Sequence, residues 1–262
     1  MRRTRSTILV LAVAFVGLVS CDSGGSADPA TIAPASSSPT DASTTASSST
    51  SSSTTEPATT VVDTTAPAGS LPEGDIGLSP DGPWRLVDSA PGITTPGLVY
   101  ELMPKLWVYL PVEEDIEQGI LWTLTEEDLP IIEAYLQARL VRYRATMQVP
   151  VDLQDAGWEL FYTDSSLDAL LPAYEEWSDR DIYTDLDQGV VLRPQVLGDG
   201  RSEDSAIIVD CTLDGAVLRD ADGTYADGAT PGVAEHGRYA VMVLAEGAWK
   251  VDESGEQEGL CG

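Results

Sequence analysis

Hydrophobic positions divide the chain into three parts with different patterns. An apolar run fills residues 8–19, a tract of Ser, Thr, Ala and Pro extends from Asp22 to about Ser70, and hydrophobic periodicity begins after Leu71. The middle tract has no apolar side chains to bury, so folding would not recover the entropy lost on ordering it. We therefore expect residues 21–70 to be a disordered spacer that precedes the folded part.

The first folded residues are rich in β-formers and turn signals. Runs of Val, Leu, Tyr and Trp alternate with Pro-Gly pairs, a pattern typical of short strands. The predicted strands cover residues 84–87, 98–102 and 106–110. We assign residues 71–124 to a small β-rich N-terminal segment.

A helix is predicted next, with apolar residues every three or four positions. Pro130 is tolerated only in a first helical turn, so the helix begins near Asp128, and it must end before Pro150. Arg139, Arg142 and Arg144 fall in its C-terminal half, where the helix dipole favours cations.

A second helix is predicted over residues 165–178. Thr163 or Asp164 is its expected cap, and its apolar stripe resembles that of a core helix. Pro172 interrupts the pattern, which predicts a kink or a division into two short helices.

Strand patterns dominate the rest of the chain. The predicted strands cover residues 190–197, 205–213, 216–219, 239–244 and 248–251. Tight turns separate several of them, which indicates an antiparallel sheet. Helices followed by hairpin strands predict an α+β fold over residues 125–262.

This order of elements resembles the nuclear-transport-factor-two-like, cystatin-like family. The tail, with Val209-Asp210-Cys211, Gly247-Ala248-Trp249-Lys250-Val251 and Gly259-Leu260-Cys261, is similar to that of uncharacterised envelope lipoproteins of actinobacteria. The resemblance implies helices packed into the concave face of a curved antiparallel sheet, which gives a cone-like domain. None of the matching motifs is catalytic.

The N-terminus resembles a lipoprotein signal peptide. Arg2, Arg3 and Arg5 precede the apolar run, and Leu18-Val19-Ser20-Cys21 resembles the lipobox of bacterial lipoproteins. The resemblance implies removal of residues 1–20, a diacylglyceryl group on the Cys21 sulfur and acylation (for example, palmitoylation) of the new N-terminus. The chain would then be lipid-anchored on the extracytoplasmic face of the cell membrane. The alternative is an uncleaved anchor helix.

Lipidation of Cys21 leaves two cysteines, Cys211 and Cys261. Two thiols in an exported domain predict one disulfide, worth about 4 kcal/mol in the loop-entropy model. The alternative is a pair of free buried thiols.

Charge restricts the possible partners. The chain has 43 acidic residues and 14 basic ones, and its net charge from Cys21 onward is −32. Nucleic-acid binding needs clustered Lys and Arg, so we exclude it. The folded part alone carries 38 acidic residues, so no single carboxylate stands out as a candidate site.

No pattern of catalytic or metal-binding residues stands out. The acidic segment 219–228 lacks the spacing of a calcium loop, and Asp222-Gly223 predicts a hairpin turn instead. His236, the single histidine, is expected just before a strand, at the surface or a sheet edge. Neither G-x-S-x-G nor H-E-x-x-H occurs. We predict no catalytic residues, no metal and no cofactor.

These observations leave three functional hypotheses. The first is a non-catalytic envelope module that binds a protein partner or a small apolar ligand in its cone. The second is an enzyme of the ketosteroid isomerase or dehydratase type, an analogy from the fold alone. The third is an acidic surface for cation binding or adhesion.

Overall fold

A computed structural model of the protein describes residues 76–112 and 124–261. The predicted signal peptide, the lipobox residues Leu18, Val19 and Ser20, the lipidation residue Cys21 and the spacer lie outside the described residues. Within those ranges the fold is α+β, as predicted, with a few helices packed on a mostly antiparallel sheet.

Most strands of the described ranges belong to one large sheet. In chain order the strands are β1 (Arg85–Val87), β2 (Gly97–Met103), β3 (Leu106–Pro111), β4 (Tyr183–Asp185), β5 (Val190–Leu192), β6 (Pro194–Val196), β7 (Ser205–Asp214), β8 (Val217–Arg219), β9 (Ala234–Ala245) and β10 (Ala248–Glu256). The large sheet has the order β1-β2-β3-β5-β7-β9-β10, and β6 also pairs with β7. A separate ribbon joins β4 to β8, so the predicted strand at 216–219 lies outside the large sheet.

The N-terminal strands belong to the same sheet as the C-terminal strands. β3 pairs with β5 in parallel, with Leu106 opposite Val190, and the other strand pairs within the described residues are antiparallel. The C-terminal strands of the large sheet pair with one another in antiparallel fashion, as predicted. The parallel pair joins them to the N-terminal segment, whose pairing the sequence does not specify. Parallel pairing needs a long crossover, and the helices between the two strands provide it.

The helices agree with the predicted positions, with one addition. They are α1 (Leu129–Thr146), α2 (Gly157–Phe161) and α3 (Asp164–Asp179). Asp128 is the N-cap residue of α1, and the Thr163 hydroxyl caps α3 by accepting a hydrogen bond from the Ser166 amide. The sequence reasoning did not find α2, which is only five residues long.

Pro172 lies inside α3, which is one helix, so the predicted division into two short helices is wrong. A proline inside a helix removes one backbone hydrogen bond. Packing offsets this loss, because Leu167, Leu170, Leu171 and Trp177 contact the core and Tyr174 is buried in it. Burial of a large side chain contributes about 1.5–3 kcal/mol.

The core lies between α1 and the C-terminal strands. Side chains alternate along β7, so Ala206, Ile208, Asp210 and Thr212 are all fully buried on one face. Leu136 and Val141 of α1 are also fully buried in the apolar part of this core. A carboxylate, Asp210, therefore continues a row that begins with apolar residues.

Three local predictions have clear outcomes. Gly223 has φ +85° and its amide donates to the Asp220 carbonyl at 2.8 Å, so the hairpin turn is confirmed. Cys211 and Cys261 form the predicted disulfide, with their Cα atoms 5.6 Å apart. His236 lies within β9 opposite Thr212 and is half-buried, so its placement before a strand is wrong. β9 begins earlier than predicted because it pairs along the whole of β7.

No helix among the described residues is both long and apolar enough to cross a membrane.

Candidate functional site

A cavity of about 210 Å³ lies between the helices and the strands β9 and β10. We call it the arginine–tyrosine pocket, after the side chains that dominate its lining. The lining residues are Tyr135, Ala138, Arg139, Arg142, Tyr162, Leu170, Arg238, Tyr239, Val251, Ser254, Gly255 and Glu256. Three arginines at one cavity are unexpected in a chain with such an excess of acidic residues.

The first arginine, Arg139, belongs to a buried polar network. Tyr135, Arg139 and Tyr143 are spaced four residues apart on α1, so they share one face of the helix. Arg139 donates to the hydroxyls of Tyr135 and Tyr143, each at 3.0 Å, and its Nη1 lies 3.6 Å from Asp210 Oδ2. The Tyr135 hydroxyl donates to Asp210 Oδ2 at 2.7 Å.

Both oxygens of Asp210 are engaged. Oδ2 contacts Tyr135 and Arg139, and Oδ1 accepts the Arg193 backbone amide at 2.8 Å. Burial of a carboxylate is costly unless its oxygens are paired and hydrogen-bonded, as they are here. Asp210 therefore holds the network together, and it is not one of the residues that line the cavity.

The environment fixes the charge states in the network. Burial raises the pKa of Tyr135 well above its usual value, so this hydroxyl stays protonated. Burial alone would lower the pKa of Arg139, but Tyr135, Tyr143 and Asp210 together raise it well above its usual value. The Arg139 Nε is buried with no hydrogen-bond partner.

The second arginine, Arg238, lies in a row of charges across the sheet. Register places Glu256 of β10 beside Arg238 of β9, which is opposite Asp210 of β7. The Arg238 guanidinium contacts Glu256 at 2.8 Å and Asp214 at 3.3 Å. Its charge is therefore balanced by carboxylates on both neighbouring strands.

The third arginine, Arg142, has no such partner. It is half-buried, and its guanidinium lies over the Tyr174 ring, 5.7 Å from the ring centre. The other two arginines in this half of α1 have partners, Arg139 as above and Arg144 in an ion pair with Asp155. Within the described part of the chain, Arg142 makes no side-chain hydrogen bond or ion pair. Burial alone would lower its pKa, but attraction to Tyr174 raises it, so it remains a cation.

The Tyr174 ring beneath Arg142 belongs to an aromatic cluster. Trp158 lies 5.4 Å from Tyr162 and 5.8 Å from Tyr174 between ring centres. The Tyr162 hydroxyl donates to the Ala138 carbonyl at 3.0 Å, while the buried Tyr174 hydroxyl has no partner. Burial raises the pKa of both tyrosines, so both are neutral at physiological pH.

The pocket has the chemistry of a binding site for a small polar or amphipathic molecule. It offers a cation, neutral hydroxyls and apolar surface from Leu170 and Val251. Its lining holds no cysteine or histidine. Among the described residues, no group of three His, Cys, Asp or Glu side chains is arranged to hold a metal ion.

The predicted site residues lie elsewhere. Cys21 and the lipobox are outside the described residues, and neither Cys211 nor Cys261 lines the pocket. The sequence prediction does not include the pocket arginines, because the helix dipole alone explains Arg139 and Arg142 at the end of α1. The spacing of Arg139 from Tyr135 and Tyr143 was the signal that could have placed it on the buried face.

Comparisons with known proteins add little. No protein-family model matches the chain, and no curated protein matches it. Among solved structures, it resembles the intermembrane space region of the chloroplast protein ARC6, with 13% identity and a TM-score of 0.36 over 47% of this chain and 90% of that one. A likeness this weak carries no argument about function.

Proposed function

We propose that this protein is a lipoprotein of the extracytoplasmic membrane face, and that its folded part is a non-catalytic module that binds a small ligand in the arginine–tyrosine pocket. The preformed cavity, with a cation in its wall that pairs with no described side chain, carries the binding part of this proposal. Ligand sites are concave, largely preformed and lined by apolar groups with a few placed polar groups. The anchoring part is supported by the lipobox alone.

The cone-like shape expected from the family resemblance belongs to the same proposal. The pocket lies between the helices and the sheet, where a cone would have its cavity. Register shifts between Val251 and Glu253, and between Glu101 and Met103, also favour a bent sheet, because bulges increase strand curvature.

The enzymatic alternative has less support. An isomerase of the proposed type needs a carboxylate that can take a proton from a substrate in the cavity. Glu256 is the carboxylate in the pocket lining, and it pairs with Arg238 at 2.8 Å. The oxygens of the fully buried Asp210 are occupied by Tyr135, Arg139 and the Arg193 amide. The alternative of an acidic surface rests on net charge alone.

Two experiments test the proposal. Mass spectrometry of the mature protein should find Cys21 as the lipid-modified first residue, and Cys21→Ser should abolish the modification. A chain that retains Met1 and carries an unmodified Cys21 would contradict the anchoring part.

For binding, thermal-shift screening of small neutral and charged compounds should give stabilising compounds whose effect disappears in Ser254→Trp. Ser254 is an exposed residue at the pocket, so tryptophan there obstructs the opening without disturbing the core.

Ser254→Ala is the matched control and should bind like the wild type. If no compound stabilises the wild type, or if Ser254→Trp keeps every effect, this pocket is not a binding site.

A further inference from the structure

We infer that the ligand of the arginine–tyrosine pocket is a small organic monocarboxylate, held by the guanidinium of Arg142. This inference rests on the proposed binding function and names its ligand class. It depends on a difference between the three pocket arginines: Arg139 and Arg238 have carboxylate partners, and Arg142 has none among the described residues.

Charge balance distinguishes Arg142 from its neighbours. Arg139 faces Asp210, and Arg238 faces Asp214 and Glu256. A cation that is partly withdrawn from water without an anion is destabilising, because it loses hydration and gains no compensating partner. The folded part has 38 acidic residues, yet none of those described pairs with Arg142. A ligand anion would supply the missing partner.

The form of the guanidinium selects the anion. Its planar fork donates two parallel hydrogen bonds, which match the two oxygens of a carboxylate. The cation–π contact with Tyr174, 5.7 Å from the ring centre, restrains the guanidinium, so less side-chain entropy is lost when the ligand binds. Arg238 already pairs with Glu256, so among the described lining residues Arg142 is the cation left to balance, and one negative charge on the ligand balances it.

Size and lining define the rest of the ligand. The cavity of about 210 Å³ is smaller than the roughly 300–1,000 Å³ of drug-sized sites, so it fits one small molecule. Leu170, Val251 and the Tyr162 ring offer apolar contact for its body. A carboxylate on a compact apolar group, such as benzoate, has these properties.

The test is isothermal titration of benzoate and of benzamide, its neutral analogue of similar shape, into the full-length protein in a non-ionic detergent. We expect benzoate to bind with a dissociation constant of about 1 mM or lower, as is reasonable for so small a molecule. Benzamide should bind at least about tenfold more weakly, since it forfeits a charged hydrogen-bonded pair.

Variants of α1 provide the controls. Arg142→Gln should weaken benzoate binding at least about tenfold, and Arg142→Lys should retain part of the affinity because it keeps the charge and loses the fork. Arg144→Gln is the matched control, because Arg144 is exposed on the same helix and pairs with Asp155, and its binding should be unchanged. Circular dichroism of each variant checks that it folds.

The outcomes separate this inference from the proposed function. Equal binding of benzoate and benzamide, or full affinity in Arg142→Gln, would overturn the monocarboxylate while leaving a small-ligand pocket in place. Stronger, Arg142-dependent binding of inorganic phosphate would also overturn it. If benzoate does not bind the wild type, the inference fails, and the neutral compounds of the thermal-shift screen then decide whether the pocket binds anything.

Discussion

The buried pair of Arg139 and Asp210 should be strongly coupled in the free energy of unfolding. Their side chains are 6% and 0% exposed, so removal of either charge leaves the other without a counter-ion in the core. Such losses typically cost about 3–5 kcal/mol. We expect this range for Arg139→Met, which keeps the length of the side chain but removes its charge and its bonds to Tyr135 and Tyr143.

The double variant Arg139→Met/Asp210→Asn should cost less than the two single changes added together. Its asparagine can accept the Arg193 amide through Oδ1 and donate to the Tyr135 hydroxyl, which no longer accepts from Arg139. We expect a coupling energy of about 2 kcal/mol, within the usual range for contacting residues. Urea unfolding followed by tryptophan fluorescence measures all four proteins of the cycle.

Arg144→Met is the surface control for this cycle. Arg144 is 49% exposed, and its ion pair with Asp155 is open to solvent, so its loss should cost less than about 1 kcal/mol. Additive single changes, or a cost for Arg139→Met as small as that of Arg144→Met, would refute the idea that this pair is desolvated and coupled.

Three further predictions concern the rest of the fold. Reduction of the Cys211–Cys261 disulfide should lower the free energy of unfolding by about 2–4 kcal/mol. Urea unfolding with and without a reductant measures this difference, and equal stability of the two forms would contradict the prediction. Burial raises the pKa of Tyr135 and Tyr162 above the unfolded value of about 10, so their contribution to stability is complete below that pH and is lost as pH rises above it. Phenolate absorbance from these residues should therefore appear together with loss of circular dichroism, and not near pH 10 in a still-folded protein. Gly189→Ala should lower the free energy of unfolding by about 2–3 kcal/mol, since φ is +86° there and a methyl group would meet the Trp107 ring at 2.6 Å. Gly223→Ala is the control, because φ is +85° but the space around it is open, and it should cost only about 1 kcal/mol. Equal costs would show that the ring contact is unimportant.

Local sequence patterns predicted the elements with strong local signals. The period of α1 and the limit set by Pro130 placed the start of this helix within one residue, and the alternation in 205–213 placed β7. Turn residues located the hairpin at Gly223. These features depend on neighbours in sequence, which a single sequence contains.

Long-range features were not predictable in the same way. The pairing of β3 with β5 joins Leu106 to Val190, and no local signal specifies which strand lies beside a parallel partner. The short strand β4 has only three residues, too few for a period. Its pairing with β8 therefore also had to come from the structure.

The excess of acidic residues prevented prediction of the pocket from the sequence. Asp210 is one of 38 acidic residues in the folded part, and only its place in a buried row after Ala206 and Ile208 distinguishes it. Arg142 is a functional candidate because none of the described side chains pairs with it, and such a property exists only in the folded chain. Alternation along β7 could have singled out Asp210, but not its arginine partner.

The strand order has a mechanical consequence under the proposed anchoring of the N-terminal end. The chain enters the large sheet at β1, on one edge, whereas β10 and the pocket lie at the opposite edge. Six steps between neighbouring strands separate these edges, roughly 29 Å at ordinary strand spacing. A pull from the N-terminal direction would act first on the short β1–β2 pairing, so those hydrogen bonds would break before the force reached β9 and β10.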